Sequence, residues 1–316
     1  MPQPMSAPRI PCKAVFEGGG VRGTGYAGAI AAFEEAGYTF TSVAGSSAGA
    51  IVASLVAAGY SAAEMKEVIV ALDYSTFVKK DFLDYLGTVG KLFSVGLDYG
   101  VYDPSAFEQW LTAMLEKKNV GAFSDLRIPL FVTAADVSAQ KLLVFPRDLH
   151  EFGKHADAYP VAAAVRMSMS IPFFYTPTVL HDTAGTAHYI VDGGLMANYP
   201  VWLEDAGAQP MPVFGFRFAG DTTSPRAAVP IRDLLGYAKA TVAAMLQAQD
   251  EGCVALMPGD TARTVRVPVT VNGRAIAATD FDLTPAEAAA LYENGYKAAK
   301  EFLAGWDFEA WKRAYR

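Results

Sequence analysis

Gly45-Ser46-Ser47-Ala48-Gly49 puts a serine hydroxyl at the centre of a G-x-S-x-G turn. The apolar run Thr41–Ala44 before it reads as a strand, and the Ala-rich run Ala48–Ala58 after it as a helix stopped by Gly59. Between those elements the two glycines permit a sharp turn that lifts the hydroxyl clear of the backbone. The helix then aims its N-terminal amides and positive dipole end at the reacting centre. That arrangement suits nucleophilic attack by Ser47 on an acyl carbon. Ser46 competes, but the register of Gly45 and Gly49 selects Ser47. Without its flanking elements the same pentapeptide would be a turn of small residues allowing close helix packing.

A second motif, Gly18-Gly19-Gly20-Val21-Arg22-Gly23, lies between a strand over Cys12–Phe16 and a helix over Gly25–Ala36. It matches G-x-G-x-x-G, but a dinucleotide site also needs a carboxylate about 20 positions on for the ribose. Ser42-Val43-Ala44-Gly45 occupies that place, so a nicotinamide or flavin role is disfavoured. The other chemistry is an oxyanion hole, with glycine amides facing the charge of a tetrahedral intermediate. One such donor is typically worth ~3–4 kcal/mol. Arg22 either fixes this loop, anchors an anionic head group, or is a plain surface arginine.

A serine nucleophile needs a base. A Ser-His-Asp hydrolase on an α/β sheet carries its histidine late in the chain. Here only His150, His155, His181 and His188 are present. The first two sit in a polar stretch, and the other two flank Asp182–Thr186, a hairpin turn by composition. Val191-Asp192-Gly193-Gly194 ends a strand; alone, an Asp-Gly pair is a turn. A carboxylate in direct contact with serine in a dry site can act as base, because desolvation raises its proton affinity. Asp192 is that candidate, and His188 is the fallback.

Segments that look like strands alternate with segments that look like helices: Leu130–Ala135, Lys141–Phe145, Tyr189–Val191 and Val213–Phe218 read as further strands. Asp103-Pro104 opens one helix, and Thr284-Pro285-Ala286-Glu287 is a capping box opening another through about Leu303. The fold class is α/β, a mostly parallel central sheet sandwiched by helices. In such sheets ligands sit at the carboxyl ends of the strands, where both glycine-rich turns lie. Of 316 residues, 52% are hydrophobic and 19% charged, ample for a sizeable core. A net charge of −7 argues against a nucleic-acid partner. Two cysteines, Cys12 and Cys253, are too few for a disulfide framework. The start of the chain has early prolines and no apolar h-region, and no run is long enough to span a membrane. Cytoplasmic location is the default expectation, peripheral contact with a membrane or secretion by a non-Sec route the alternatives.

Taken together, G-G-G-x-R-G, then G-x-S-x-G, then D-G-G resembles the patatin family of lipid acyl hydrolases. Ala164–Phe174, Tyr102-Asp103-Pro104 and Phe131–Asp136 fit the same resemblance, which runs from about residue 12 to about 220. It implies a three-layer patatin-like fold and hydrolysis of carboxylic esters in phospholipids or neutral lipids, with no metal or other cofactor. By motif position it implies Ser47 as nucleophile, Asp192 as general base, and the amides of Gly19, Gly20 and Val21 lining the oxyanion hole within Gly18–Gly23.

Residues 1–11 read as a tail and 12–316 as one catalytic domain, with 230–316 its helical C-terminal portion. Within it, 74–100 reads as a cap meeting a lipid surface, or equally as a packed subdomain. Met167, Met169, Phe173 and Phe174 are candidate lining for an acyl channel, though such a stripe is also ordinary core. The expected partner is a lipid substrate on a membrane or micelle surface. An acyltransferase or thioesterase using the same residues, and a non-catalytic lipid-binding protein of the same fold, are the competing readings.

Overall fold

Two strands meeting end to end fix the geometry of this molecule. A computed structural model describes residues 9–70, 72, 74–78, 99–205, 211–219, 230–255 and 258–316. Its main sheet contains β1 (Ile10–Phe16), β2 (Tyr38–Ser46), β3 (Leu130–Asp136), β4 (Lys141–Phe145), β5 (Thr178–His181), β6 (Ala187–Asp192), β7 (Val213–Ala219) and β8 (Thr264–Pro268). The strand order is β5-β6-β3-β2-β1-β7-β8, with β4 also paired to β3. β1, β2, β3, β7 and β8 run parallel, while β4 and β6 are antiparallel to β3 and β5 is antiparallel to β6.

β4 pairs with Val132–Asp136 of β3. β2 pairs with Leu130–Thr133 and β6 with Ala134–Asp136. Because β4 takes one edge of β3 over Val132–Asp136, β2 and β6 share the opposite edge in succession. Ser46 is the last β2 residue, opposite Thr133, and Asp192 the last β6 residue, opposite Ala134. Two carboxyl-terminal strand ends running toward each other therefore abut at adjacent positions of β3. Residues 145 apart in sequence are brought together there.

The longer helices are α1 (Thr24–Glu35), α2 (Ala48–Ala57), α3 (Ala62–Val70), α4 (Ser105–Glu116), α5 (Val161–Ser168), α6 (Leu234–Ala255), α7 (Pro285–Ala304) and α8 (Phe308–Tyr315). α7 carries the expected capping box, with Thr284 accepting from the Glu287 amide. In β1, Cys12, Ala14 and Phe16 join the larger core beside α1, while Val15 joins Ala44, Val201 and Val213 in a smaller core on the other face. A strand buried on both faces reads as a continuous apolar run, the pattern of a central parallel strand. α1 fully buries Tyr26, Ile30 and Phe33. Each such side chain stabilises the packing by about 1.5–3 kcal/mol.

β1 and β2 extend further than their apolar runs, since Ile10 pairs with Tyr38. α4 begins at Ser105 with Pro104 as its cap, and Asp103 accepts from the Ser105 amide at 2.9 Å. The C-terminal portion, expected as helical, also supplies β8 to the sheet and a two-stranded β9 (Thr270–Val271) and β10 (Arg274–Ala275). Most of the expected cap, 79–98, lies outside the described residues. Among the described residues no helix is long and apolar enough to cross a membrane.

Candidate active site

Ser47 sits at the junction of β2 and α2 with φ 50° and ψ −125°. This left-handed-side conformation costs a non-glycine residue on the order of 1–3 kcal/mol and persists only where its surroundings impose it. Here the imposition is close packing. A Cβ on Gly45 would stand 2.4 Å from the Gly49 backbone, and one on Gly49 would stand 2.1 Å from the Phe16 carbonyl oxygen. Both glycines of G-x-S-x-G are thus required by space. The Ser47 N–H donates to Oγ of Ser168 at 2.8 Å, and the Ser47 carbonyl accepts from Ala50 to open α2. The positive end of α2 consequently lies at the serine.

The Ser47 hydroxyl donates to Oδ2 of Asp192 at 2.6 Å. Oδ1 accepts the Gly194 amide at 2.7 Å, which fixes the carboxylate plane. The Asp192 amide donates to the Ser170 carbonyl at 2.9 Å and the Gly193 amide to the Ser168 carbonyl at 3.1 Å, so the end of α5 anchors the D-G-G turn. Asp192 is only 2% exposed. Burial pushes its carboxyl up to about 7, against the opposing pull of the Ser47 and Gly194 hydrogen bonds. A carboxyl held there is half ionised near neutral pH and can take a proton from serine.

The glycine loop lies beside the serine: a Cβ on Gly18 would come within 3.0 Å of the Ser47 Cβ. Its amides are not equivalent. Gly18 donates to Asn198, and Val21, expected as an oxyanion donor, donates to the Ala278 carbonyl at 3.1 Å. That engagement corrects the expectation for Val21, because its N–H is already used. The Gly19 and Gly20 amides make no hydrogen bond among the described residues. Gly20 has φ 58°, and a Cβ there would lie 1.8 Å from the Ala278 carbonyl oxygen. Arg22 fixes the loop: its Nε donates to the Gly19 carbonyl at 3.0 Å and its guanidinium lies 4.8 Å over the Phe218 ring. Gly23 leads into α1 and lines the cavity described next. Beneath the loop, buried Glu17 accepts from Arg217 Nε at 2.7 Å and from the Phe218 amide at 2.9 Å, tying β7 to the end of β1.

Ser47 opens on an apolar cavity of about 60 Å³ whose walls include Phe107, Trp110, Met169, Ile171 and Phe281. The candidate channel residues divide. Met169 lines this cavity as well as packing in the main core; Met167, fully buried, belongs to the core alone. Phe173 lines a separate groove, and Phe174 stacks on Phe281 with centroids 5.4 Å apart. Phe281 comes from the C-terminal portion, where no sequence motif marked it.

His188 is on β6 four residues before Asp192, about 13 Å along the strand. Its Nδ1 bonds Oδ2 of Asp136 at 2.6 Å, and Nε2 lies 3.5 Å from Asp182. The hydrogen bond to Asp136 raises its pKa. Its ring bridges Asp136 at the end of β3 and Asp182 in the β5–β6 turn. His150 bonds the Arg147 carbonyl, and His155 and His181 are exposed.

A strained strand–serine–helix turn over a glycine loop, on a mixed sheet flanked by helices, defines an α/β protein built around that turn. The chain belongs to the patatin-like phospholipase family, whose pattern matches residues 14–204. Lipid hydrolysis is the general activity this membership carries. The chain is 34% identical over 295 residues to YqhO of Bacillus subtilis, covering 93% of this chain and 98% of that protein. It is 27% identical to the lysophospholipase NTE1 of Mycosarcoma maydis across 93% of this chain, but spans only 15% of that much longer protein. The fold is shared with VipD of Legionella pneumophila, at TM-score 0.54, 17% identity, and coverage of 95% of this chain and 67% of that one. It is shared likewise with the type III effector ExoU, at TM-score 0.53, 16% identity, and coverage of 94% and 53%.

Proposed function

We propose that the protein is a serine esterase of the phospholipase A type, cleaving carboxylic esters of phospholipids or related lipids through a Ser47–Asp192 dyad. The observation that carries this reading is the 2.6 Å hydrogen bond from Ser47 Oγ to a buried carboxylate. Asp192 takes the hydroxyl proton as Oγ attacks the acyl carbon, and the carbonyl π bond becomes an oxyanion facing the Gly19 and Gly20 amides. The oxyanion collapses, the bond to the alcohol oxygen breaks, and Asp192 returns its proton to that oxygen. Water then gives a proton to Asp192, attacks the acyl-serine, and releases the fatty acid as Ser47 recovers its proton.

Asp192 does alone what a histidine does in a triad because two conditions hold. Burial brings its basicity near neutrality, and the Gly194 amide sets its orientation. The mostly apolar cavity at Ser47 supports an acyl chain over a polar or charged leaving part. The reading is tested by hydrolysis of a phospholipid and a short soluble ester by wild type, Ser47→Ala and Asp192→Asn, each folded by circular dichroism. Both variants are expected to lose at least about 10³-fold in kcat. Retention of activity by either would refute the dyad.

A further inference from the structure

Glu17 and Arg217 form an ion pair directly beneath the glycine loop, with side chains only 3% and 4% exposed. Taking two charges out of water is costly, so a buried pair is weak evidence for stability and its position calls for another explanation. Arg217 Nε donates to Oε1 of Glu17 at 2.7 Å, while Oε2 accepts the Phe218 amide at 2.9 Å. One carboxylate therefore holds two successive residues of β7, and the second carries the ring on which the loop lies. A Cβ on Gly19 would stand 2.3 Å from that ring, so the Gly19 backbone packs directly against it.

Arg22 and Tyr26 close a circuit around Gly19. The Arg22 guanidinium lies 4.8 Å over Phe218, and its Nε donates to the Gly19 carbonyl at 3.0 Å. Tyr26 stacks on Phe218 at 4.4 Å, and its hydroxyl donates to the Glu17 carbonyl at 3.1 Å. Gly19 is thus fixed through its carbonyl and through the ring beneath it, and both contacts lead back to the Glu17 carboxylate. Arg217 also lies 5.0 Å over the ring of Tyr199, and the neighbouring Asn198 carbonyl accepts the Gly18 amide at 3.1 Å. The pair joins the start of the glycine loop to the segment that follows the Asp192 turn.

We infer that Glu17, paired with Arg217, is a positioning residue that acts through Phe218 to aim the Gly19 amide at the oxyanion. An oxyanion hole must keep its donors within about 0.5 Å of the productive place. A misplacement of about 1 Å costs about 10²-fold in rate. The inference rests on Ser47 being the nucleophile, and the test separates the two claims.

Glu17→Gln/Arg217→Met removes both charges together, keeps an acceptor for the Phe218 amide and leaves no lone buried charge. Phe218→Leu leaves the ion pair and removes the ring. For each, kcat and KM are measured on a soluble ester, together with the inhibition constant of a matching trifluoromethyl ketone. Ser47 Oγ bonds to the ketone carbon, the carbonyl π pair moves onto oxygen and Asp192 takes the hydroxyl proton. Affinity for the ketone therefore reports the hole without a leaving group. The double variant should lose about tenfold in kcat and Phe218→Leu about 10–10²-fold, with KM unchanged and the inhibition constant raised by the same factor. Trp311→Phe, which gives up a 2.8 Å hydrogen bond to the Gly259 carbonyl, lowers the melting temperature and moves neither quantity.

Wild-type kcat and ketone affinity in the double variant overturn the inference, whatever its melting temperature. Wild-type values in Phe218→Leu overturn it equally. So does a loss confined to KM, or a fall in kcat with the inhibition constant unchanged, since the pair would then act elsewhere than on the oxyanion. Ser47→Ala binding the ketone as tightly as wild type would instead defeat the nucleophile assignment.

Discussion

The backbone N–H of Ser47 ends on the hydroxyl of Ser168, 2.8 Å away and 121 residues later. Ser168 closes α5, and its own carbonyl holds the Gly193 amide, so one residue braces both sides of the Ser47–Asp192 contact. Ser168→Ala leaves the Ser47 amide buried without an acceptor, at a cost of about 1–3 kcal/mol. A urea midpoint shifted down with kcat reduced about tenfold is the expected result. An unchanged kcat would show that the brace is dispensable.

Asp192 gives the protein a pH dependence of defined sign. Its carboxyl moves from 3.8 in the unfolded chain to about 7 in the folded one. The folded state therefore binds more protons between those values, and stability falls as pH rises from about 4 through 7. Asp192→Asn removes the charge and should be more stable than wild type at pH 8, by on the order of 1–3 kcal/mol, with the advantage vanishing at pH 4. Paired denaturant titrations check this; equal stability at pH 8 contradicts it. In wild type kcat/KM should fall about tenfold per unit below pH 7.

Gly20→Ala should be severe for activity. Its φ of 58° and the 1.8 Å approach of the Ala278 carbonyl leave no room for a methyl group. The loop must shift, moving the Gly19 and Gly20 amides off the developing oxyanion, and kcat is expected to fall about 10²–10³-fold. Steady-state kinetics with a folded variant decide it, and a loss under tenfold would place the oxyanion donors elsewhere.

His188→Gln tests the rival base. Its ring bridges Asp136 of β3 and Asp182 of the β5–β6 turn, and the raised pKa means its charged pairing is present at acidic pH and fades as pH climbs through that value. The variant should keep kcat within about twofold and melt lower, most visibly near pH 5. Loss of activity with the fold intact would restore histidine as the base.

Trp110 packs against Phe77 and Phe107, with centroids 5.7 and 5.8 Å away, at the wall of the Ser47 cavity. Trp110→Ala should extend the range of acyl lengths accepted, raising the long-to-short ratio of kcat/KM several-fold in an ester series. A proportional fall at all lengths would mean Trp110 only supports the fold.

The local geometry of the candidate site is legible in the sequence because short motifs enforce it. Gly45 and Gly49 are dictated by atoms that leave no space for a side chain, and the strand and helix around them follow from composition. In the sequence the pairing of Ser47 with Asp192 follows only from the poor supply of histidines and the family resemblance. The physical cause, two strand ends abutting on β3, is a property of topology. The Ala278 carbonyl on Val21 and the Phe281 wall were invisible, since both come from a segment with no motif that reaches the site only after β8 joins the sheet. Met167 and Met169 look alike in sequence and both join the main core, but Met167 lies in the last turn of α5 and Met169 caps it, so only the second also lines the cavity.

The dyad is tested most directly by trapping the acyl group. Wild type mixed with a slowly deacylating nitrophenyl ester, quenched in acid and mapped by mass spectrometry, should carry one acyl group on the peptide containing Ser47. Asp192→Asn should acquire it at least about 10³-fold more slowly. An acyl group on another residue, or acylation of Asp192→Asn at the wild-type rate, would contradict the account.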